Sequence, residues 1–164
     1  MKKLLPPLLL ALLVVGCMCF SQEVSIDSNT NKKNNLSFGL MDSRTGNTFV
    51  SFSYDYYQKE KNEMFIGFGT FIINTNISLG WKHYFSKNTF SPFLVTSLHI
   101  TALTIDLWNK DKQTIGIFPT ITIGVERKFL KKYSAQCGLF LASMKTEYGL
   151  DYAIWPCINI DYRF

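Results

Sequence analysis

From residue 36 to the C-terminus, apolar and polar side chains alternate in short runs separated by polar turns. The alternation is longest over 151–164. Tyr152, Ile154, Pro156, Ile158, Ile160, Tyr162 and Phe164 share one face there, and Asp151, Ala153, Trp155, Cys157, Asn159, Asp161 and Arg163 share the other. A period of two sustained this far predicts a β-strand with one apolar and one polar face. The same pattern predicts strands over 36–41, 48–57, 63–73, 77–85, 92–104, 114–129 and 133–143. In 114–129, Ile115, Ile117, Pro119, Ile121, Ile123 and Val125 alternate with Thr114, Gly116, Thr120, Thr122, Gly124 and Glu126. The stretch 63–73 is apolar throughout; it is assigned with Ile66, Phe68, Thr70 and Ile72 on the apolar face and Gly67 and Gly69 opposite. Turns or loops are expected at 42–47, 58–62, 74–76 (a tight reversal), 86–90, 105–113, 130–132 and 144–150. Hairpins at this spacing imply an all-β, eight-stranded antiparallel up-and-down barrel.

The N-terminus follows a different rule. Met1-Lys2-Lys3 precedes the apolar run 4–15, which is too short for a spanning helix and contains Pro6 and Pro7. A basic segment followed by a short apolar one predicts a cleaved export signal. Two processing sites compete. Cleavage after Ser21 leaves Gln22 first, whereas Val14-Val15-Gly16-Cys17 resembles a lipoprotein motif that would leave an acylated Cys17. The first is favoured, because a barrel already in the membrane gains little from a lipid anchor. The expected organisation is then a signal peptide at 1–21, a flexible polar leader at 22–35 and a barrel at 36–164.

Alternation does not say which face is inside. A soluble lipocalin-like barrel turns its apolar face inward around a small apolar ligand, and a membrane barrel turns it toward lipid. Lipid is favoured on three grounds. The polar face is rich in Gly, Ser and Thr and carries Asp55, Lys82, Glu126, Asp161 and Arg163. The chain ends on its last strand. The aromatics bunch: Tyr54, Tyr56, Tyr57, Phe65, Trp81, Tyr84, Phe85, Phe90, Phe93, Phe129, Tyr133, Tyr162 and Phe164 all lie beside the turns at 58–62, 86–90 and 130–132 or at the C-terminus. Those positions share one end of a meander, and rings gather at bilayer interfaces. That end is assigned as periplasmic, with 42–47, 74–76, 105–113 and 144–150 facing outside.

A closing strand that ends on Phe164, with Tyr162 two residues before it, resembles the small eight-stranded outer-membrane β-barrels of Gram-negative bacteria, of the OmpX/OmpW type. The resemblance implies residence in the bacterial outer membrane, both termini in the periplasm, and contact with outer-membrane lipid. It also implies that Tyr162 and Phe164 form the signal read by the barrel-assembly machinery. A monomer is expected.

Charge and candidate chemistry add little. The formal charge falls from +5 to +3 when Lys2 and Lys3 are removed, and no basic cluster with interleaved aromatics points to nucleic acid. The mature chain holds Cys137 and Cys157, assigned to opposite faces and so expected to stay unbridged. Catalysis would need His83 or His99. Ser97 shares a strand with His99, without an acid beside the pair to orient it. No phosphate loop, calcium motif or zinc constellation is present, so no cofactor or metal is expected. Asp55, Lys82, Glu126, Asp161 and Arg163 read as either a solute pathway or a paired interior network. The network is favoured, because eight strands enclose little more than their own side chains. Trp108 and Lys110, in the longest loop, are candidate surface contacts for an unknown partner. The expected role is non-enzymatic, in envelope integrity or surface interaction, and porin-like only in architecture.

N-terminal sequencing of the mature protein should begin at Gln22. Incorporation of labelled palmitate would instead place the start at Cys17.

Overall fold

A computed structural model describes residues 32–71, 74–86, 88–103, 115–146 and 149–164. Each stretch expected to be a strand is one: β1 (Asn34–Leu40), β2 (Val50–Lys59), β3 (Asn62–Phe71), β4 (Asn74–Tyr84), β5 (Phe90–Leu103), β6 (Ile115–Lys128), β7 (Tyr133–Thr146) and β8 (Gly149–Arg163). Every strand pairs antiparallel with its neighbour in sequence. β1 also pairs with β8, Leu36 opposite Tyr162 and Phe38 opposite Ile160, which closes the sheet into a barrel. Phe164 extends that seam beyond β8, exchanging backbone hydrogen bonds with Asn34 at 3.0 and 3.3 Å.

The faces divide as the period of two requires. Ile66, Phe68, Ile77, Leu79, Leu98, Ile117, Ile121, Ile123, Ile154 and Ile160 are all exposed on the outside. Ser37, Ser51, Ser53, Asp55, Ser78, Lys82, Thr122, Glu126, Gln136, Asn159 and Asp161 are buried inside. A continuous apolar belt of that kind is not left in water by a soluble monomer. The lipocalin-like alternative needs the reverse arrangement, so it does not fit this barrel. Cys137 pairs with Ile158 and Cys157 with Gly138, on opposite faces, and the two thiols are not bridged.

Three expectations are corrected. Asn74, Thr75 and Asn76 are not a reversal: they open β4, opposite Phe71, Thr70 and Gly69. Asn74 and Asn76 point inward and are buried, so polar residues there serve the interior rather than a turn. Among the bunched aromatics, Phe65, Tyr84 and Phe93 face the lumen and pack with Val95, so they do not belong to the interfacial girdle. A count of rings near a turn does not register side-chain parity. The third correction is the largest: segment 42–47 does not face outside. It turns back into the barrel.

The rest of the girdle is on the outside. Phe52, Phe164, Tyr162, Tyr133 and Phe129 form a connected run of rings with centroids 4.9–6.4 Å apart. Trp81, His83 and Phe85 continue it on β4 and just beyond, and the His83 ring shares the carbonyl oxygen of the Asn62 side chain with Trp81 Nε1. A register shift between Asp55 and Tyr57 in the β2–β3 pairing leaves both Tyr56 and Tyr57 exposed. This accounts for adjacent tyrosines that a strict alternation would put on opposite faces.

Ile121 sits midway along the outward face of β6, between Thr96 and Leu141. Ile121→Arg should cost about 2–4 kcal/mol of unfolding free energy in lipid vesicles, the range for a cation on the lipid face near the bilayer centre. Denaturant unfolding followed by heat-modifiable gel migration measures it, and an unchanged midpoint would mean that this face does not meet hydrocarbon.

Candidate functional site

Residues 41–46 and 48 are buried within the barrel, although their sequence (MDSRTG and Thr48) has the composition of a surface turn. Local hydrogen bonds shape the segment. Asp42 carries most of them: its side chain accepts from the Arg44 backbone N–H at 3.1 Å, from Thr45 Oγ1 at 2.9 Å and from Ser51 Oγ. The Gly46 N–H donates to the Asp42 carbonyl at 2.8 Å, completing a tight return. Gly46 needs its missing side chain twice over. Its φ is +74°, and an added Cβ would lie 3.1 Å from both the His99 and Phe140 rings.

The wall of β3 is cut away to receive this segment. A Cβ on Gly67 would fall 2.6 Å from Thr45 Cγ2, and one on Gly69 would fall within 2.9 Å of Thr45 and Thr48 side-chain atoms. The other strands reach in with polar groups. Asn76 Nδ2 donates to the Thr45 and Asn47 carbonyls, Thr122 Oγ1 to the Ser43 carbonyl, and Ser43 Oγ to Gln136 Oε1 at 2.7 Å. Asn159 Nδ2 donates to Asp42 at 3.5 Å. Many of the segment's polar groups thereby find partners inside the barrel, which lowers the cost of burying them, although Arg44 Nε has none.

Arg44 is the tip. Its side chain is fully buried, with one terminal nitrogen donating to Asp55 at 2.5 Å and Ser53 at 3.0 Å and the other to Glu63 at 2.6 Å. The guanidinium carbon stands 5.1 Å from the Phe65 ring centroid. Two carboxylates from β2 and β3 thus hold a cation delivered from the opposite end of the barrel.

From Glu63 the pairing runs on around the lumen. Arg163 bridges Glu63 at 3.0 Å and Glu126 at 3.4 Å, and Lys82 bonds Glu126 at 2.8 Å. Tyr84 Oη sits between them, accepting from Arg163 at 2.6 Å and donating to Glu126 at 2.7 Å. The Lys82 ammonium lies 4.2 Å from the Phe93 centroid, so an inward aromatic covers a buried cation. Of the residues the sequence singled out, Lys82, Glu126 and Arg163 come together directly, and Asp55 joins them through Arg44 and Glu63. Asp161 is linked by neutral donors: Ser37 Oγ at 2.5 Å, Asn159 Nδ2 at 2.7 Å and Gln136 Nε2. Arg44, Glu63, Tyr84 and Gln136 were missed. Trp108 and Lys110 lie outside the described residues. Tyr162 and Phe164 stack on each other at the outer surface, 5.5 Å apart.

Toward the other end the lumen becomes aromatic. His99 is fully buried, stacked on Phe118 with centroids 5.5 Å apart and edge-on to Phe140, which meets Trp155. Its Nε2 pairs with Ser97 Oγ at 2.8 Å, and that hydroxyl also meets Thr120 Oγ1 at 2.8 Å. Among the described residues no carboxylate hydrogen-bonds to His99, so the pair lacks the orienting acid of a nucleophile–base–acid arrangement.

A closed antiparallel barrel of eight strands with an apolar exterior and a polar, ion-paired interior defines a membrane β-barrel. A solved structure shares the fold. The chain is similar to the N-terminal β-barrel domain of Pseudomonas aeruginosa OprF, with a TM-score of 0.55 and 17% identity over 82% of this chain and 98% of that one. It is also similar to the Yersinia pestis outer membrane protein Ail, solved in a phospholipid bilayer nanodisc, with a TM-score of 0.43 and 13% identity over 82% of this chain and 100% of that one. No protein-family model and no curated protein matches the sequence. The fold is that of a small outer-membrane β-barrel.

Arg44→Ala leaves Asp55 and part of Glu63 unpaired in the lumen. It should destabilise the barrel by about 3–5 kcal/mol, the usual cost of removing one partner from a buried pair. The double variant Arg44→Ala/Asp55→Asn should recover a large part of that loss, and additive losses in denaturant titrations would show that the two groups are not coupled.

Proposed function

We propose that this protein is a non-enzymatic component of the bacterial outer membrane, serving envelope integrity or surface interaction, and that segment 41–48 with its ion network stops the lumen. The observation that carries the reading is the placement of Arg44: a fully buried cation on a returning segment, held by Asp55 and Glu63. An eight-stranded barrel leaves room for little beyond its own side chains, and here a stretch of backbone takes up part of that room. A continuous water path would have to displace these groups and unpair their charges. Catalysis is not part of the reading. The Ser97–His99 pair sits among Phe118, Phe140 and Thr120 and lacks an orienting carboxylate.

Export through a signal at 1–21 and a polar leader at 22–35 belongs to the same proposal, as does an orientation with both termini in the periplasm. Tyr162 and Phe164 are suited to recognition by assembly machinery. Both rings lie on the outside of the seam strand, and Phe164 itself ties that strand to β1.

Planar-bilayer recording tests the stopped lumen. The wild-type protein should show negligible conductance, and Arg44→Ala should show brief openings where it remains folded. Stable openings of nanosiemens size in the wild type would defeat the proposal.

A further inference from the structure

We infer that the rim of the barrel at the end where β1 begins and β8 finishes docks the headgroups of anionic glycerophospholipids. Lys33, Lys59, Lys61, Lys131 and Lys132 are all exposed there. They enter from separate places: the approach to β1, the β2–β3 turn and the β6–β7 turn. The topology therefore sets them along an arc of the wall, from the β6–β7 turn past β8 and β1 to the β2–β3 turn, rather than gathering them over the lumen. Glu60 is the exposed acid among them. The other acids at this end, Asp55, Glu63, Glu126 and Asp161, are buried. The ion pairs found among the described residues all lie within the lumen and Asp161 is held there by neutral donors, so these buried acids do not neutralise the rim.

The height of these lysines decides the kind of partner. Lys132 Nζ lies 5.8 Å from the centroid of the Tyr162 ring, inside the run of rings formed by Tyr133, Tyr162, Phe164 and Phe52. Lys61 Nζ is drawn down to the Phe85 carbonyl at 2.8 Å, next to the His83–Phe85 ring pair. Ammonium groups at the level of an outward aromatic belt have their stems along apolar surface and their charges at the depth of lipid phosphates. Cations at that depth, with the exposed lysines beside them on the same arc, complement anionic headgroups, and each such lysine adds attraction to a negative leaflet. A soluble acidic peptide or glycan would be better met by a concave patch over the lumen, where the charges are already paired. The inference rests on the membrane reading of the fold. It does not depend on a stopped lumen, so it stands or falls separately from the conductance result.

The test reconstitutes the mature protein in vesicles of mixed phosphatidylethanolamine and phosphatidylglycerol, extracts it with its surrounding lipid in a styrene–maleic acid copolymer, and measures the retained lipid. Phosphatidylglycerol should be enriched roughly three- to five-fold over the bulk mixture. Lys59→Gln/Lys61→Gln/Lys131→Gln/Lys132→Gln, shown to be folded by heat-modifiable migration, should return the ratio to bulk, and Glu60→Gln should raise it. High salt during reconstitution should abolish the enrichment of the wild type, which keeps the inference testable without any variant. A wild-type ratio equal to bulk, or an enrichment that survives both neutralisation and salt, overturns it. So does displacement of the lipid by soluble acidic peptidoglycan fragments, since the occupant would then be a peptide.

Discussion

Hydrocarbon offers no hydrogen-bond partners, and that constraint governs this molecule. A strand in lipid must find every backbone partner on its neighbours, and an open sheet would strand two edges. The β1–β8 pairing removes them, and the mutual hydrogen bonds of Asn34 and Phe164 carry the seam to the last residue. Closure in turn fixes the side-chain problem. With edges gone and a period of two imposed, half of every strand must suit lipid and half must suit a narrow axis. The exposed isoleucines and the buried serines are two consequences of one ladder.

The axis is where the chain becomes particular. Small side chains line β2, β3 and β4 inside: Ser51, Ser53, Gly67, Gly69 and Ser78. They would leave a gap on that side if nothing filled it. Segment 41–48 fills it, and its register against the wall is set by contacts that only glycine permits at 67 and 69. Arg44 then joins what would otherwise be two separate problems. Asp55 and Glu63 lie on adjacent strands, and Arg163, which meets Glu63, is already shared with Glu126. One guanidinium with a forked set of donors meets the two carboxylates at once, a geometry unavailable to lysine.

The barrel was legible because a strict period of two is a strong signal when repeated eight times, and the inner charges Asp55, Lys82, Glu126, Asp161 and Arg163 followed from parity alone. The direction of segment 42–47 was not, because Asp, Ser, Arg, Thr, Gly and Asn suit a solvated loop and an inserted one equally well. Two clues were nevertheless present. The five inner charges held three acids against two bases, one cation short. The glycines assigned inward on β3 stood beside serines on both neighbouring strands, a side of the lumen with too little volume. Arg44 supplies a further cation and its segment the bulk, while Glu63 and Asp42 bring further buried acids that the parity reading had not counted. The misplacement of Phe65, Tyr84 and Phe93 has a plainer origin. Proximity to a turn was read as interfacial, although each stands at inward parity beside a buried cation or acid.

Stability alone does not explain an ionic interior, since buried ion pairs contribute little net stability compared with a well-packed apolar core. An apolar interior would make each strand apolar on both faces. Strands such as β5 and β6 would then read as continuous hydrophobic runs of fourteen residues. Runs of that kind approach the length at which an apolar segment is retained as a membrane helix during export. Alternation keeps every strand short of that threshold, so the polar face is required by the route to the membrane as much as by the finished barrel. Having accepted polar groups inside, the chain must satisfy them in a space with little water. Pairing Lys82 with Glu126, bridging Glu63 to Glu126 through Arg163, and bringing Arg44 in from the far end to meet Asp55 and Glu63 gives these charged groups ionic partners. The lumen is therefore ion-paired for a reason that precedes any function assigned to it.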